Sequence, residues 1–123
     1  MIKKPKITAN ALTKHIIYSL QSIGFNVWNQ YNGGVYDVKK GIYRKNPLFK
    51  KGVPDVIGFH RKTGTFIGVE VKVGRDKKSM HQDLMLNDII ESGAFGFVAR
   101  DYDQFDEYCK HLKNILCLNH LKA

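Results

Sequence analysis

The chain has 123 residues, of which 43% are hydrophobic, and it carries a formal net charge of +9. That length suits one domain with its own core and is too short for two. No apolar run approaches a membrane span, and the basic start of the chain lacks the apolar centre of a signal peptide. We therefore expect one cytoplasmic domain over residues 1–123, with a loose arm at residues 1–8 and no membrane contact.

The positive charge is unevenly distributed along the chain. Residues 1–78 carry sixteen Lys and Arg against four Asp and Glu, a balance of +12, whereas residues 79–123 sum to −3. Because phosphate contacts supply most of the affinity for nucleic acids, a polyanion-binding enzyme is expected to show such a division. A solvated basic surface that only aids solubility would show it too.

The first predicted element is a helix that begins at Thr8 or Asn10 and ends at about Ile23. Both candidate caps have side chains that accept hydrogen bonds from free N–H groups at a helix start, and Gly24 suits a helix stop. Apolar residues recur at helical spacing and predict a core-facing stripe, namely Leu12, Ile16, Leu20 and Ile23.

A first strand is predicted over residues 25–31, followed by a tight turn at residues 32–34. Trp28 and Tyr31 lie on this strand. Aromatic side chains there either pack in the core or stack on nucleic-acid bases, and the pattern leaves both alternatives open.

Residues 37–51 show no regular pattern and mix basic side chains with aromatic ones. Such a mixture suits a loop that follows a phosphate backbone, although an exposed loop whose aromatics fold onto the sheet would look the same. A second basic turn follows at residues 74–78. The residues predicted to contact nucleic acid are Lys39, Lys40, Arg44, Lys45, Lys50, Lys51, Arg75, Lys77 and Lys78.

The most informative stretch runs from Gly52 to Val73, where two apolar runs rich in Val, Ile and Phe flank a turn at residues 61–64. This pattern predicts a β-hairpin. Alternation places Ile67, Val69, Val71 and Val73 on one face of its second strand, and Phe66, Gly68, Glu70 and Lys72 on the other.

Glu70 and Lys72 are thus charged neighbours on a largely apolar strand. Such groups are costly to desolvate unless they face each other, a metal ion or a water-filled cleft. Asp55, at the start of the first run, is placed to supply a second carboxylate. Two carboxylates, a main-chain carbonyl and waters suit Mg²⁺, and Lys72 would then orient or deprotonate a metal-bound water.

A helix is predicted from Ser79 to Gly93. Ser79 and Gln82 form the S-x-x-Q pattern of a capping box, so Gln82 lies in the first turn, near the strand end that bears Lys72. Gln82 is therefore a capping partner, an active-site residue, or both. The neighbouring His81 is expected to be exposed.

A short strand at residues 94–99 is predicted beside the hairpin, followed by an amphipathic helix over residues 101–116. Cys109 and Cys117 fall in this last helix. They lie far from any His or Cys with zinc-ligand spacing, so two reduced thiols are favoured over a disulfide or a metal site.

The pair Pro54-Asp55, a spacer and then Glu70-Val71-Lys72 resembles the PD-(D/E)xK signature of phosphodiesterases. The wider pattern, with GVPDVIG, GVEVK and Gln82 on the next helix, resembles the VRR-NUC branch over about residues 12–99. The resemblance implies an α/β fold with a restriction-endonuclease-like core, in which helices flank a central mixed β-sheet in the order αβββαβ with a C-terminal helix. Patterning alone indicates only a two-layer or three-layer α/β domain.

The resemblance also implies an activity. Asp55, Glu70 and the Val71 carbonyl would hold Mg²⁺ or Mn²⁺, while Lys72 positions the attacking water and Gln82 supports it. The implied reaction is endonucleolytic hydrolysis of DNA. Small stand-alone members of phage type resemble Holliday junction resolvases, which implies branched DNA, a homodimer and, for a phage protein, the cytoplasm of a bacterial host.

The chain departs from the family in one respect. Many VRR-NUC domains have a glutamate in the first helix that helps complete the metal site, but here no Asp or Glu precedes Asp37. Either Asn10 supplies a neutral oxygen or the position is vacant, and a second metal ion is disfavoured. The other functions considered are a sequence-specific restriction-type endonuclease, a non-catalytic DNA-binding module and a structural protein.

Overall fold

A computed structural model describes residues 6–30, 35–44 and 50–122 of the chain. Within these ranges the elements follow in the order α1, β1 to β5, α2, β6 and α3. Their bounds are α1 (Ala9–Ser22), β1 (Phe25–Asn29), β2 (Val35–Asp37), β3 (Ile42–Arg44), β4 (Val56–His60), β5 (Phe66–Val71), α2 (Met80–Glu91), β6 (Phe95–Ala99) and α3 (Tyr102–Lys122). Among the described helices, none is long and apolar enough to cross a bilayer.

The central sheet is mixed and has the strand order β1-β4-β5-β6. β4 pairs antiparallel with β1 and β5, whereas β6 lies parallel to β5. The parallel pair is possible because α2 crosses over between its strands, as such a connection requires. The fold is therefore α/β with helices around a four-stranded mixed sheet, which confirms the predicted restriction-endonuclease-like core.

The two faces of the sheet are covered differently. On one face, α1 and α3 enclose the main core, formed by Leu12, Ile16, Leu20, Phe25, Val27, Val56, Ile67, Val69, Val71, Ala99, Phe105 and Leu112. On the other face, α2 packs only on β5 and β6. Gly68 permits this close approach, because a Cβ there would lie 2.8 Å from Pro54 Cγ and 3.2 Å from Ile89 Cδ1. Alternation along β5 thus sends Ile67 and Val69 into the core and Glu70 to the α2 face.

Local signals set the helix ends as the sequence predicted. The Thr8 hydroxyl accepts a hydrogen bond from the Ala11 N–H and caps α1, and Gly24, with a φ of +98°, turns the chain into β1. Ser79 and Gln82 form the full capping box at the start of α2.

Parts of the sequence prediction were wrong. β1 ends at Asn29, before the predicted end at residue 31. Residues 37–51 are not uniformly irregular, because β2 and β3 form a small separate hairpin in which Tyr36 stacks edge-on against Tyr43. The last helix also continues beyond residue 116, to Lys122. The predicted turn at residues 32–34, together with Tyr31, lies outside the described residues, as does most of the predicted N-terminal arm.

Candidate active site

Asp55 and Glu70 face each other at one end of the β4–β5 pair. In the register of these strands, Val56 lies opposite Val69. Continuing the register by one residue places Asp55 opposite Glu70, and opposed residues of antiparallel strands point to the same side of a sheet. The Asp55 carboxylate is near enough to Glu70 for its charge to raise the pKa of Glu70. The structure therefore brings together the two carboxylates that the sequence singled out.

Glu70 is a fully buried acidic side chain. Its side chain is 0% exposed, and neither carboxylate oxygen has a hydrogen-bond partner among the described residues. Burial, reinforced by the nearby Asp55 carboxylate, raises the pKa of Glu70 from its ordinary value of 4.5 to about 8. In its protonated form the group is neutral, and as a carboxylate it is stabilised by a cation placed beside it.

Asp55 is held rigidly from two sides. Its Oδ2 accepts a hydrogen bond of 2.7 Å from the Val71 N–H, which ties it to the end of β5. Its own carbonyl accepts another of 2.7 Å from the Gln30 N–H, beyond the end of β1. The Val71 N–H thus fixes the side chain of Asp55, and the Gln30 N–H fixes its main chain.

Two lysines supply positive charge beside the carboxylates. The charges of Lys72 and Lys78 both lower the pKa of Glu70, although burial outweighs them. Lys72 follows β5 directly, and its N–H donates to the Ala99 carbonyl at 2.9 Å, which extends the parallel pairing with β6. Lys78 forms an ion pair of 2.7 Å with Asp83 in the first turn of α2.

Sequence reasoning treated Lys78 only as one of several basic turn residues. It missed that the charge of Lys78 lowers the pKa of Glu70 and that Asp83 pairs with this lysine. An acid five residues after the last lysine of the turn, inside a helix start, was the available signal.

Gln82 serves as the capping partner of Ser79. Its Oε1 accepts from the Ser79 N–H at 2.9 Å, and its N–H donates to the Ser79 hydroxyl at 3.2 Å. The start of α2 is fitted closely to the loop before Asp55, because a Cβ at Gly52 would lie 2.3 Å from the His81 carbonyl oxygen. Gly52 also has a φ of +81°, so only glycine fits there without strain. This contact places the helix start that bears Gln82 beside the loop that leads to Asp55.

The donor set suits a hard divalent cation. The described residues contain no cluster of three or more His, Cys, Asp or Glu side chains that could hold a metal. A cation would therefore rely on the two carboxylates, a main-chain oxygen and water. Mg²⁺ is commonly bound in this way, by one or two carboxylates with several waters retained. The unpartnered oxygens of Glu70 fit such an ion.

The predicted nucleic-acid contacts fall on separate surfaces. Lys39, Lys40 and Arg44 belong to the β2–β3 hairpin, and Arg44 is paired with Asp37 at 3.1 Å. The exposed Lys50 and Lys51 line a cavity beside α2, and the exposed Arg75 and Lys77 lie in the turn before α2 with the partly buried Lys78. Lys45 lies outside the described residues. The cations of residues 50–51 and 75–78 thus lie near the start of α2.

The domain has a mixed sheet flanked by helices, two facing carboxylates and a lysine directly after β5. These features define the class of restriction-endonuclease-like nuclease folds. A family model described as the VRR-NUC domain matches residues 32–101, more than half of the chain, and the chain belongs to this family. The domain falls within the PD-(D/E)xK nuclease superfamily, so the protein is a nuclease with DNA as its substrate. A search of curated proteins found no match.

Proposed function

We propose that the protein is a metal-dependent endonuclease that hydrolyses phosphodiester bonds in branched DNA such as a Holliday junction. The observation that carries metal dependence is Glu70, a fully buried acid whose two oxygens have no partner among the described residues and which faces a second carboxylate. Such a group either keeps its proton or needs a cation beside it, and a divalent ion between the two facing carboxylates would supply that charge.

Each residue of the site has a distinct role in this proposal. Asp55, Glu70 and the Val71 carbonyl hold Mg²⁺ or Mn²⁺, and the Val71 N–H keeps Asp55 oriented. When bound, the ion acidifies water and neutralises charge on the reacting phosphate. Lys72 positions the attacking water and stabilises negative charge that develops in the transition state. Gln82 holds the α2 start in place and supports Lys72.

Selectivity for branched DNA is supported by where the basic residues lie. The β2–β3 hairpin makes no contact with another described helix or strand, and its Lys39 and Lys40 are exposed. Lys50, Lys51, Arg75 and Lys77 lie on separate segments around α2. Cations on several surfaces suit a substrate whose arms leave the cleavage point in different directions.

The test is cleavage by the wild type and by Asp55→Ala of labelled flaps, forks, four-way junctions and linear duplex, with Mg²⁺ or Mn²⁺ and with EDTA. We expect the wild type to cut junctions fastest and only with metal, and the variant to bind but not cut. Preferred cutting of one linear sequence would favour a restriction-type enzyme. Equal cutting by both proteins would contradict the assigned site, and binding without cutting by either would indicate a non-catalytic module.

We propose further that the active protein is a homodimer joined through the uncovered face of β1 and β4. Trp28, Phe59 and Phe66 are 43%, 40% and 37% exposed. The strand register places them on one side of the sheet, which no described helix covers at β1 and β4. This patch carries no Lys or Arg, so it offers a DNA backbone little, whereas a second copy would bury the same aromatics.

Phe59→Ser is expected to convert the dimer to a monomer, because a polar side chain would then face its own counterpart across the interface. Light scattering coupled to gel filtration measures the mass. Tyr18→Ser, at an exposed aromatic of α1, is the matched control and should remain dimeric. A monomeric wild type at micromolar concentration would refute the dimer and leave the nuclease proposal untouched.

A further inference from the structure

A second basic site lies at the end of the β4–β5 pair farthest from the carboxylates. There the end of α1, the β4–β5 turn and α3 enclose a cavity of about 490 Å³. Asp55 precedes β4 and His60 ends it, and five strand residues span roughly 17 Å at about 3.3 Å each. This cavity is therefore distinct from the candidate active site.

The Lys and Arg side chains that line the cavity have no acidic counterpart there. Arg61, Lys62 and Lys113 contribute cationic side chains, and no Asp or Glu lines the cavity. Arg44 and Lys78 have carboxylate partners, but none of the ion pairs found among the described residues involves these three cations. Three unneutralised positive charges around one concave surface attract a polyanion.

The backbone that carries two of these cations is fixed in place. The Arg61 N–H donates to the Gly24 carbonyl at 2.9 Å. His60 is 6% exposed, and its Nε2 donates to the Ile23 carbonyl at 3.2 Å while its Nδ1 accepts from the Lys62 N–H at 3.3 Å. The buried His60 ring thus joins the turn to the end of α1. A charged surface held in this way needs little reorganisation on binding.

We propose that this cavity binds the phosphate backbone of a second arm of branched DNA while the first arm is held at Asp55 and Glu70. The inference rests on the proposed junction-cleaving function and deepens it. A linear duplex held at the carboxylates presents no second arm to this end of the sheet, so the cavity would contribute to the affinity for junctions and little to that for duplex.

The test compares Arg61→Gln/Lys113→Gln with Lys6→Gln/Lys14→Gln, which removes two positive charges from exposed positions outside the cavity. Each pair is placed in the Asp55→Ala background, so that binding is measured without cleavage. We expect the cavity variant to lose on the order of tenfold in affinity for a four-way junction at 0.15 M salt. For the junction, the slope of log affinity against log salt concentration should fall in magnitude by about 2. Affinity and slope for linear duplex of equal length should change little.

Other outcomes overturn the proposal in different ways. Equal losses for junction and duplex would make the cavity part of a single duplex footprint. Losses matched by the control pair would reflect net charge alone, and no loss at all would indicate a merely solvated surface. Failure of the nuclease proposal would instead appear in the cleavage assay, as equal cutting by wild type and Asp55→Ala. The binding measurements do not depend on cleavage, so the two failures can be told apart.

A thiol in the cavity gives an independent readout. Cys117 lines the cavity and is exposed, whereas burial raises the pKa of Cys109 to about 11, which keeps its thiol unreactive at neutral pH. Junction DNA should slow alkylation of Cys117 several-fold, as followed by mass spectrometry, and linear duplex should not. Unchanged alkylation of Cys117 on saturation with junction DNA would refute contact at this site.

Discussion

Replacing Glu70 by glutamine is expected to lower cleavage by about a thousandfold or more while leaving a folded protein. Glutamine keeps the size of the side chain but removes the negative charge, and losing a single charge-stabilising group in an active site costs roughly 10²- to 10³-fold. Loss of a carboxylate from a two-carboxylate ligand set also weakens metal binding. Single-turnover cleavage of a four-way junction measures the effect.

The same substitution should stabilise the metal-free protein at alkaline pH. The pKa of Glu70 is raised to about 8 in the folded state from an ordinary value of 4.5. Between these values the unfolded chain has released this proton while the folded protein retains it, so the contribution of Glu70 to the free energy of unfolding falls as pH rises. The fall approaches about 1.4 kcal/mol per pH unit at most and ends above pH 8.

Denaturant unfolding of wild type and Glu70→Gln with EDTA, at several values between pH 5 and pH 9, measures this difference. The variant should be similar to the wild type near pH 5 and more stable by a few kcal/mol at pH 9. Glu91→Gln, which removes an exposed acid from the end of α2, should show no such trend. A wild type as stable as Glu70→Gln at pH 9 without metal would mean that the burial of Glu70 is compensated by the protein itself.

Much of this site followed from alternation and turn chemistry. A strand that reads Phe66-Ile67-Gly68-Val69-Glu70 assigns its faces by period two, and the turn at residues 61–64 fixes which residues of the hairpin are opposed. Asp55 and Glu70 could therefore be placed together from the sequence. The capping box of Ser79 and Gln82 is equally local and formed as predicted.

The remaining features depend on contacts between distant segments. Glu70 is completely buried on a strand that pairs with β6 and packs against α2, and no local pattern encodes these contacts. Strands β2 and β3 are only three residues each, too short for alternation to be read among basic residues. The cavity near Arg61 combines α1, the hairpin turn and α3, so its cations were scattered in the sequence and passed unnoticed.

Lys72→Met is expected to lower cleavage by about 10²- to 10⁴-fold while preserving DNA affinity, because the lysine acts on the attacking water in the transition state. Met retains much of the length of the side chain without its charge. Lys77→Met, in the exposed turn that follows, is the matched control and should reduce DNA affinity slightly without a large effect on the single-turnover rate.

Stabilisation by metal separates this role from a purely structural one. The charge of Lys72 lowers the pKa of Glu70, so its removal favours the protonated acid and should weaken metal binding near pH 7. At pH 9 Glu70 is ionised, so protons no longer compete with the metal for its carboxylate. The variant also lacks the repulsion between Lys72 and the cation, and it should therefore bind metal as tightly as the wild type or more tightly. The increase in unfolding temperature with added Mg²⁺ at the two pH values measures this. If Lys72→Met lost DNA affinity as severely as cleavage, the lysine would be a phosphate contact made in the ground state, and the water would need another residue to position it.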